Sequence, residues 1–89
     1  MPVVNIRLLR RDVEYLLRAA FLNQAQRNGL DRVEWLSPDR AELRLSHGVA
    51  ESIRAALTDQ LAKSGFDEHY ETTDEGTLLE NLIDRFYAG

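Results

Sequence analysis

The hydrophobic residues of this 89-residue chain follow two different periods, and the order of these periods limits the fold more than any other feature. A two-residue period, which places alternate side chains on opposite faces of a strand, occurs in three segments. A period of three to four residues, which lines up apolar side chains on one face of a helix, occurs in three others. In chain order these are a strand at 3–8, a helix at 12–28, strands at 33–36 and 41–46, and helices at 48–64 and 73–87. The order β-α-β-β-α-α predicts one α+β domain over residues 1–89, a small three-stranded antiparallel sheet covered by three helices.

The amino-terminal segment allows two interpretations. Val4, Ile6 and Leu8 alternate with the residues between them, which predicts a half-buried strand. Ile6 also keeps helical spacing with later apolar residues, so the alternative is a helix that already begins there. The β-branched residues of this segment favour the strand.

The predicted helix at 12–28 has apolar side chains on two sides. Its main stripe consists of Val13, Leu16, Leu17, Ala20 and Phe21. Asp12 is predicted to cap its start, and Gly29 to supply a left-handed residue after its end. Tyr15 and Leu22 fall nearly opposite the stripe, and Tyr is enriched at interfaces, so this pair is a candidate self-contact or partner contact. The alternatives are an ordinary exposed apolar pair and burial under the first strand.

A hairpin is predicted between the strands at 33–36 and 41–46. The sequence Ser-Pro-Asp-Arg at 37–40 suits a turn, because Pro presets the backbone angle of the second turn position. The register that gathers most apolar groups on one face pairs Trp35 with Leu43, Val33 with Leu45, and Glu34 with Arg44. Opposed residues share a face, so this register predicts a buried Trp and an attractive charge pair.

The helix at 48–64 has signals at both ends. Ser46 is predicted to cap its start. Gly65 is predicted to be the left-handed residue of a Schellman motif, with Phe66 packing back onto Leu61.

The helix at 73–87 begins at a predicted capping box. Thr72 would accept a bond from the amide of Glu75, and the Glu75 side chain would accept one from the amide of Thr72. The buried stripe is predicted to consist of Leu78, Leu79, Leu82, Ile83, Phe86 and Tyr87. The residues predicted to face water are Glu80, Asn81, Asp84 and Arg85.

Composition and motifs argue against several functional classes. The chain has no cysteine, which excludes disulfides, thiolate metal sites and a cysteine nucleophile. Residues 1–7 lack the pattern of a signal peptide, and no apolar run has the length of a membrane span, so a cytoplasmic protein is expected. A net charge of −4 argues against a general nucleic-acid binder. Known catalytic motifs are absent, and a chain this small seldom encloses a substrate cavity, so the sequence predicts a protein that is not an enzyme.

Two charged segments are candidate contact surfaces. Residues 67–75 carry five acidic residues and no basic one. A second segment is a basic strip formed by Arg7, Arg10, Arg11 and Arg18. The basic strip could contact phosphate or an acidic partner, but interleaved acidic residues favour a solvated face.

The acidic segment contains ligand types that could bind a metal. An EF-hand starting at Asp67 fails, because its sixth position is Thr72 instead of Gly. Zinc prefers three or four nitrogen or sulfur ligands, and the chain has two histidines and no cysteine. The sequence therefore predicts no metal and no cofactor. The alternative is a small metal-dependent domain or enzyme that uses His69 as a general base.

The leading hypothesis is a non-enzymatic bacterial interaction module, an accessory or inhibitor protein of the immunity or antitoxin kind. Its acidic segment would contact a basic protein partner, since charge of one sign steers a partner of the other. The candidate contact residues in that segment are Asp67, Glu68, His69, Tyr70, Glu71 and Asp74. The alternative is a homodimer through Tyr15 and Leu22, and neither nucleic acid nor a membrane is expected as a partner.

Overall fold

The computed structural model describes residues 3–88, which form three strands and four helices. In chain order these are β1 (Val3–Leu9), α1 (Arg10–Arg18), α2 (Gln24–Leu30), β2 (Val33–Ser37), β3 (Arg40–Ser46), α3 (His47–Ser64) and α4 (Asp74–Ala88). The antiparallel sheet has the strand order β1-β3-β2. The predicted α+β class is confirmed, with four helices instead of three. Met1 and Pro2, part of the segment assessed for a signal peptide, lie outside the described residues.

The hydrophobic core lies between the helices and one face of the sheet. Alternate residues of β1 and β3 supply the sheet side of the core: Ile6, Leu8, Ala41, Leu43 and Leu45. The helices supply the other side with Val13, Leu16, Ala50, Ile53, Leu57, Leu79, Leu82 and Phe86. Each fully buried Leu or Ile contributes roughly 2 kcal/mol relative to exposure, so this layer is the main source of stability. Within residues 3–88, no helix combines the length and the apolar character that crossing a membrane requires.

The strand interpretation of the amino-terminal segment is confirmed. β1 pairs with β3 along its whole length, from Val3 opposite Ser46 to Leu9 opposite Arg40. The alternative helix beginning at Ile6 is wrong, because pairing with the central strand satisfies the backbone groups that a helix would otherwise satisfy.

The prediction of one helix at 12–28 is wrong, because residues 19–23 separate α1 from α2. Asn23 starts the second helix through a reciprocal capping box. Its side chain accepts from the amide of Gln26 at 2.9 Å, and the Gln26 side chain accepts from the amide of Asn23 at 2.9 Å. The residues of this capping box can be read from the sequence, but the helical spacing of the apolar residues on both sides of it favours a single continuous helix. In the structure the capping box forms and the continuous helix does not.

Arg27 reinforces the break between the two helices. Its side chain donates to the carbonyl of Ala19 at the end of α1 and to the carbonyl of Leu22 in the segment between the helices. Gly29 lies inside α2 and does not have a left-handed backbone, so its predicted role is wrong. It is a close approach that favours glycine here: a Cβ at this position would lie 2.9 Å from a methyl carbon of Leu45.

The hairpin is present, but its register differs from the prediction by two residues. Val33 lies opposite Leu43, Glu34 opposite Glu42, and Trp35 opposite Ala41. The cause is a tight turn, in which Ser37 pairs with Arg40, together with a bulge at Leu36. A shift of two keeps each side chain on its predicted face, but it removes the expected pairing of Glu34 with Arg44.

The start of α3 agrees with the prediction and its end does not. The hydroxyl of Ser46 accepts from the amide of Val49 at 3.3 Å, which confirms the cap. Gly65 has φ −79° and ψ −11°, so the predicted left-handed Schellman residue is wrong. Phe66 is exposed and forms an isolated β-bridge with Thr72.

The start of α4 is capped one residue later than predicted. The hydroxyl of Thr73 accepts from the amide of Gly76 at 2.9 Å, so the capping box of Thr72 with Glu75 is wrong. Gly76 packs against the backbone of Gly65, since a Cβ there would lie 2.8 Å from the Gly65 carbonyl carbon. Two glycines at this crossing therefore allow the ends of α3 and α4 to approach closely.

The two faces of α4 differ from the prediction at its carboxy-terminal end. Tyr87 was assigned to the core, but it is largely exposed and lies 4.9 Å from the guanidinium of Arg54. Arg85 was predicted to face water, and it instead contacts α1 and β1 as described below. The remaining residues predicted to face water, Glu80, Asn81 and Asp84, are exposed.

Candidate functional site at the sheet edges

Tyr15 and Leu22 do not share an exposed face. Leu22 is 4% exposed, because the break after α1 turns it into the core. Tyr15 is half-buried, and its hydroxyl donates to the Glu75 carboxylate at 2.8 Å. Burial raises the pKa of Tyr15, and the hydrogen bond and negative charge of Glu75 raise it further. Tyr15 therefore joins α1 to α4 within the chain.

The acidic segment forms a compact loop held by Asp67. The Asp67 carboxylate accepts from the amides of His69 at 2.8 Å and Glu71 at 3.0 Å. Tyr70 at the tip has φ 61° and is 88% exposed. Asp67 is therefore occupied within the loop, whereas Glu68, Glu71 and Asp74 are exposed to solvent.

The structure does not bring the predicted metal-ligand types together. Among residues 3–88, no group of three or more His, Asp or Glu side chains is arranged to hold a metal ion. The Nε2 atom of His69 lies 3.7 Å from a carboxylate oxygen of Glu68, and the His69 side chain is 77% exposed. An exposed His lacks the enclosed setting in which a general base usually acts.

The basic strip is divided among several neighbours. Arg10 pairs with Glu14 at 3.0 Å, and Arg18 donates to the Glu14 carbonyl at 3.3 Å. Arg7 approaches Glu42 at 3.9 Å. These surface pairs are what a solvated face would show. Arg10 and Arg7 also line two neighbouring recesses, which are described below.

The outer edge of β1 is closed by an ion pair between a buried carboxylate and a partly exposed arginine. Asp12 is 1% exposed, and its Oδ2 accepts from the amide of Leu9 at 3.0 Å. Arg85 Nε lies 3.4 Å from the same oxygen, and a terminal nitrogen of Arg85 donates to the carbonyl of Arg7 at 3.1 Å. The pair thus satisfies two successive outward-facing backbone groups, in the way that a neighbouring strand would. Asp12 is the third residue of α1, so its predicted role as N-cap is wrong.

These contacts also determine which backbone groups are free at the opposite edge. Since the Arg7 carbonyl points away from β3, Arg7 and Glu42 form a non-hydrogen-bonded pair. The backbone groups of Glu42 therefore point to β2, where Glu34 is its partner. By alternation, the N–H and C=O groups of Val33 and Trp35 point outward from β2. Within residues 3–88, no side chain hydrogen-bonds to either of them.

The β2 edge also exposes large apolar side chains. Trp35 is 48% exposed and Leu36 is 54% exposed. They line a recess of about 460 Å³ together with Arg10, Ser37 and Pro38. The amide of Arg10 donates to the carbonyl of Asp39 at 2.9 Å, which holds the start of α1 against the hairpin tip.

A second recess shares a wall with the first. It has a volume of about 490 Å³ and contains three arginines, Arg7, Arg40 and Arg85, beside Leu36 and Ser37. We call Arg10, Trp35, Leu36, Pro38 and Arg40 the hairpin-end surface. The alternation of β2 alone does not reveal this surface, because it predicts that Trp35 is buried. The available signal was the adjacency of Trp35 and Leu36, since successive strand residues cannot both face one core.

No known protein family matches the chain, and neither does a curated protein or a solved structure.

Proposed function

We propose that this protein is a non-enzymatic interaction module that binds another protein through the hairpin-end surface. The observation that carries the proposal is the exposure of Trp35, the single tryptophan of the chain, in a recess that Arg10 also lines. A second recess, which contains three more arginines, adjoins it at Leu36 and Ser37. Trp and Arg are the residues that most often dominate the binding energy of protein interfaces. An accessory or inhibitor role, of the immunity or antitoxin kind, would be served by such a surface.

The chemistry of the surface favours a partner segment that carries both apolar and acidic side chains. Trp35 and Leu36 provide apolar contact area, and Trp can bury 150–250 Å² as a rough range. Arg40 presents a guanidinium group, whose planar fork matches a carboxylate, and Arg10 adds a second guanidinium that is paired with Glu14 within the chain. These arginines form a local positive region on a chain whose net charge is −4, which argues for a specific acidic contact over a general one.

The proposal is tested by placing a photo-cross-linking amino acid at Ser37, which lines both recesses. A cross-linked partner is expected, and its yield should fall about tenfold or more when Trp35→Ala or Arg40→Glu is added. Arg44→Glu is the matched control, because Arg44 lies on the same strand and face as Arg40 and is also exposed. A yield that is unchanged by the first two variants, or reduced equally by the control, would overturn the proposal.

The acidic loop supports a second candidate surface, which contacts a basic partner. Its specific support is the pair of hydrogen bonds from the His69 and Glu71 amides to Asp67, which fold the loop so that Glu68 and Glu71 are exposed. Replacing Glu68, Glu71 and Asp74 together by Lys should abolish capture of such a partner, while Asp67 is left in place to hold the loop. Capture that survives this triple reversal would exclude the acidic loop as the contact surface.

A further inference from the structure

We infer that the second recess, which contains Arg7, Arg40 and Arg85, binds a phosphate monoester whose esterified group is apolar. The inference goes beyond the proposed function, because the ligand is a single phosphoryl group and the recess extends past the hairpin-end surface to β1 and α4. Arginine binds phosphate and carboxylate groups through paired N–H donors. Several guanidinium groups around one recess therefore indicate a site for an oxyanion.

The three arginines of this recess come from three different elements of the fold. Arg7 lies on β1, Arg40 on β3 and Arg85 on α4. Because Arg7 is opposite Glu42, Arg7 and Arg40 are diagonal neighbours on the sheet face that points away from the core. Diagonal neighbours are about 7–8 Å apart, a separation that long side chains can span. The sheet register thus places these two like charges side by side at the entrance that Arg85 reaches from α4.

Arg85 is held in position by the chain itself. Its Nε lies 3.4 Å from Asp12 Oδ2, and one terminal nitrogen donates to the Arg7 carbonyl at 3.1 Å. A guanidinium has five N–H donors, so these contacts leave about three of them for a ligand. A side chain that is already fixed loses little conformational entropy on binding, which favours affinity.

The recess has positive charge that this chain does not neutralise from within. Its lining, as described for residues 3–88, includes no Asp or Glu. Asp12, the counter-charge of Arg85, is 1% exposed, and Glu42, which lies 3.9 Å from Arg7, does not line the recess. Arg40 forms no ion pair with any carboxylate of the described residues. An incoming anion would therefore meet at least one guanidinium without a partner.

The number of arginines and the apolar lining indicate the class of anion. A phosphate monoester presents three terminal oxygens and close to two negative charges at neutral pH, whereas a carboxylate presents two oxygens and one charge. Three guanidinium groups therefore match a phosphate better. Leu9 and Leu36 line the same recess, whose volume is about 490 Å³, so the esterified group is expected to be apolar or aromatic.

The test measures the binding of phenyl phosphate by isothermal titration calorimetry and locates it by shifts of the backbone amide signals of β1, β3 and α4. Saturable binding is expected, with a Kd of about 1 mM or lower. Arg7→Gln and Arg40→Gln should each weaken binding about fivefold or more, since each removes a charge-assisted contact. Both side chains are exposed, so neither substitution is expected to disturb the fold, whereas Arg85 is left in place because it closes the β1 edge.

Arg44→Gln is the matched control for these variants. Arg44 lies on the same strand and face as Arg40 and is exposed, but it does not line the recess. The substitution changes the net charge by the same amount, so it separates a local contact from general electrostatics. The affinity for phenyl phosphate should remain within about twofold of the wild type.

Two further probes test the class of ligand. Benzoate, which carries a carboxylate on the same ring, should bind about fivefold more weakly than phenyl phosphate, and equal affinities would overturn the assignment to phosphate. Inorganic phosphate should also bind more weakly, because it leaves Leu9 and Leu36 uncovered. Equal affinities of inorganic and phenyl phosphate would overturn the apolar esterified group.

The phosphoryl group could be supplied by a phosphorylated side chain of a partner or by a free small molecule. A phosphotyrosine pentapeptide that binds about tenfold more tightly than phenyl phosphate would identify the partner's side chain, and similar affinities would identify the free molecule. Absence of saturation at about 10 mM phenyl phosphate, or equal losses in Arg44→Gln and Arg40→Gln, would overturn the site. If cross-linking from Ser37 still depended on Trp35 in that case, the proposed function would stand without this inference.

Discussion

The two edges of the sheet expose the same backbone chemistry but treat it differently. At β1, a buried carboxylate and a guanidinium bond to successive outward-facing groups, on Leu9 and Arg7. At β2, the corresponding groups of Val33 and Trp35 face solvent beside an exposed Trp ring. Unpaired strand edges are prone to pair with other chains, and proteins usually protect them. Because only the β1 edge is protected, pairing with another chain is expected at the β2 edge.

The closed edge depends on α4 being held against α1 at two points. Arg85 contacts Asp12 near the carboxy-terminal end of α4, and Glu75 accepts from Tyr15 near its amino-terminal end. These residues are ten positions apart, which is about 15 Å along a helix. No comparable pair of side-chain contacts holds a helix against the β2 edge within residues 3–88. Substitutions at the β1 edge should therefore lower the free energy of unfolding more than substitutions at the β2 edge.

The largest expected effect is that of Asp12→Ala on stability. Removing this buried carboxylate leaves the Leu9 amide without its acceptor and Arg85 Nε without its counter-charge, while Arg85 keeps its bond to the Arg7 carbonyl. We expect the free energy of unfolding to fall by about 3 kcal/mol, measured by urea denaturation. Asp84→Ala, which removes an exposed acid on α4, should cost no more than about 0.5 kcal/mol. Equal losses in the two variants would mean that Asp12 does not close the edge.

The second effect concerns the Tyr15 hydrogen bond and depends on pH. Tyr15→Phe should lower the free energy of unfolding by about 1.5 kcal/mol at neutral pH, since it removes a bond to a charged acceptor. Because burial and Glu75 raise the pKa of Tyr15 in the folded protein, the unfolded chain loses this proton first as pH rises above 10.0. The stabilisation is therefore complete below pH 10 and decreases above it.

Urea midpoints measured from about pH 8 to pH 11 check the sign of this dependence. The wild type and the exposed control Tyr70→Phe should lose stability more steeply than Tyr15→Phe above pH 10. Parallel decreases in all three proteins would show that the Tyr15–Glu75 contact does not contribute.

A smaller loss of stability is expected from Trp35→Ala. A buried Trp costs about 3–5 kcal/mol when truncated, but Trp35 is half exposed at the rim of the core, so we expect about 1 kcal/mol. Leu43→Ala on the adjacent central strand, where the side chain is fully buried, should cost about 3 kcal/mol. A loss at Trp35 as large as that at Leu43 would show that Trp35 is a core residue rather than a contact residue.

The last prediction involves no substitution and concerns the rates of amide hydrogen exchange in the wild-type protein. The Leu9 amide, bonded to Asp12, and the Glu34 amide, which points to β3, should exchange slowly. The Trp35 amide should exchange faster than that of Glu34, although the two are neighbours in one strand. Equal protection of Trp35 and Glu34, followed by NMR, would contradict the open edge.

Much of the local structure could be predicted because its causes lie within a few residues. The strand at β1, the hairpin, the Ser46 cap and the helical stripe of α4 all follow from periodicity and short-range hydrogen bonding. Errors arose where two local signals competed. The capping box of Asn23 with Gln26 ended a helical pattern that continued on either side of it.

The candidate site could not be predicted because it depends on contacts between distant parts of the chain. Arg85 has the position of a solvent-facing helix residue, yet it bonds to Arg7, 78 residues away in sequence. Trp35 has the period of a buried strand residue, yet the helical cover does not extend over it.

By itself the sequence determined the α+β class, the three strands and the buried face of each long helix, since spacing and hydrophobicity act locally. The tertiary structure alone decided that Asp12 and Arg85 close one edge and that Trp35 stays exposed at the other. The physical reason is that every backbone group at a sheet edge needs a partner. Which side chain supplies one, or whether none does, depends on how the helices pack against the sheet.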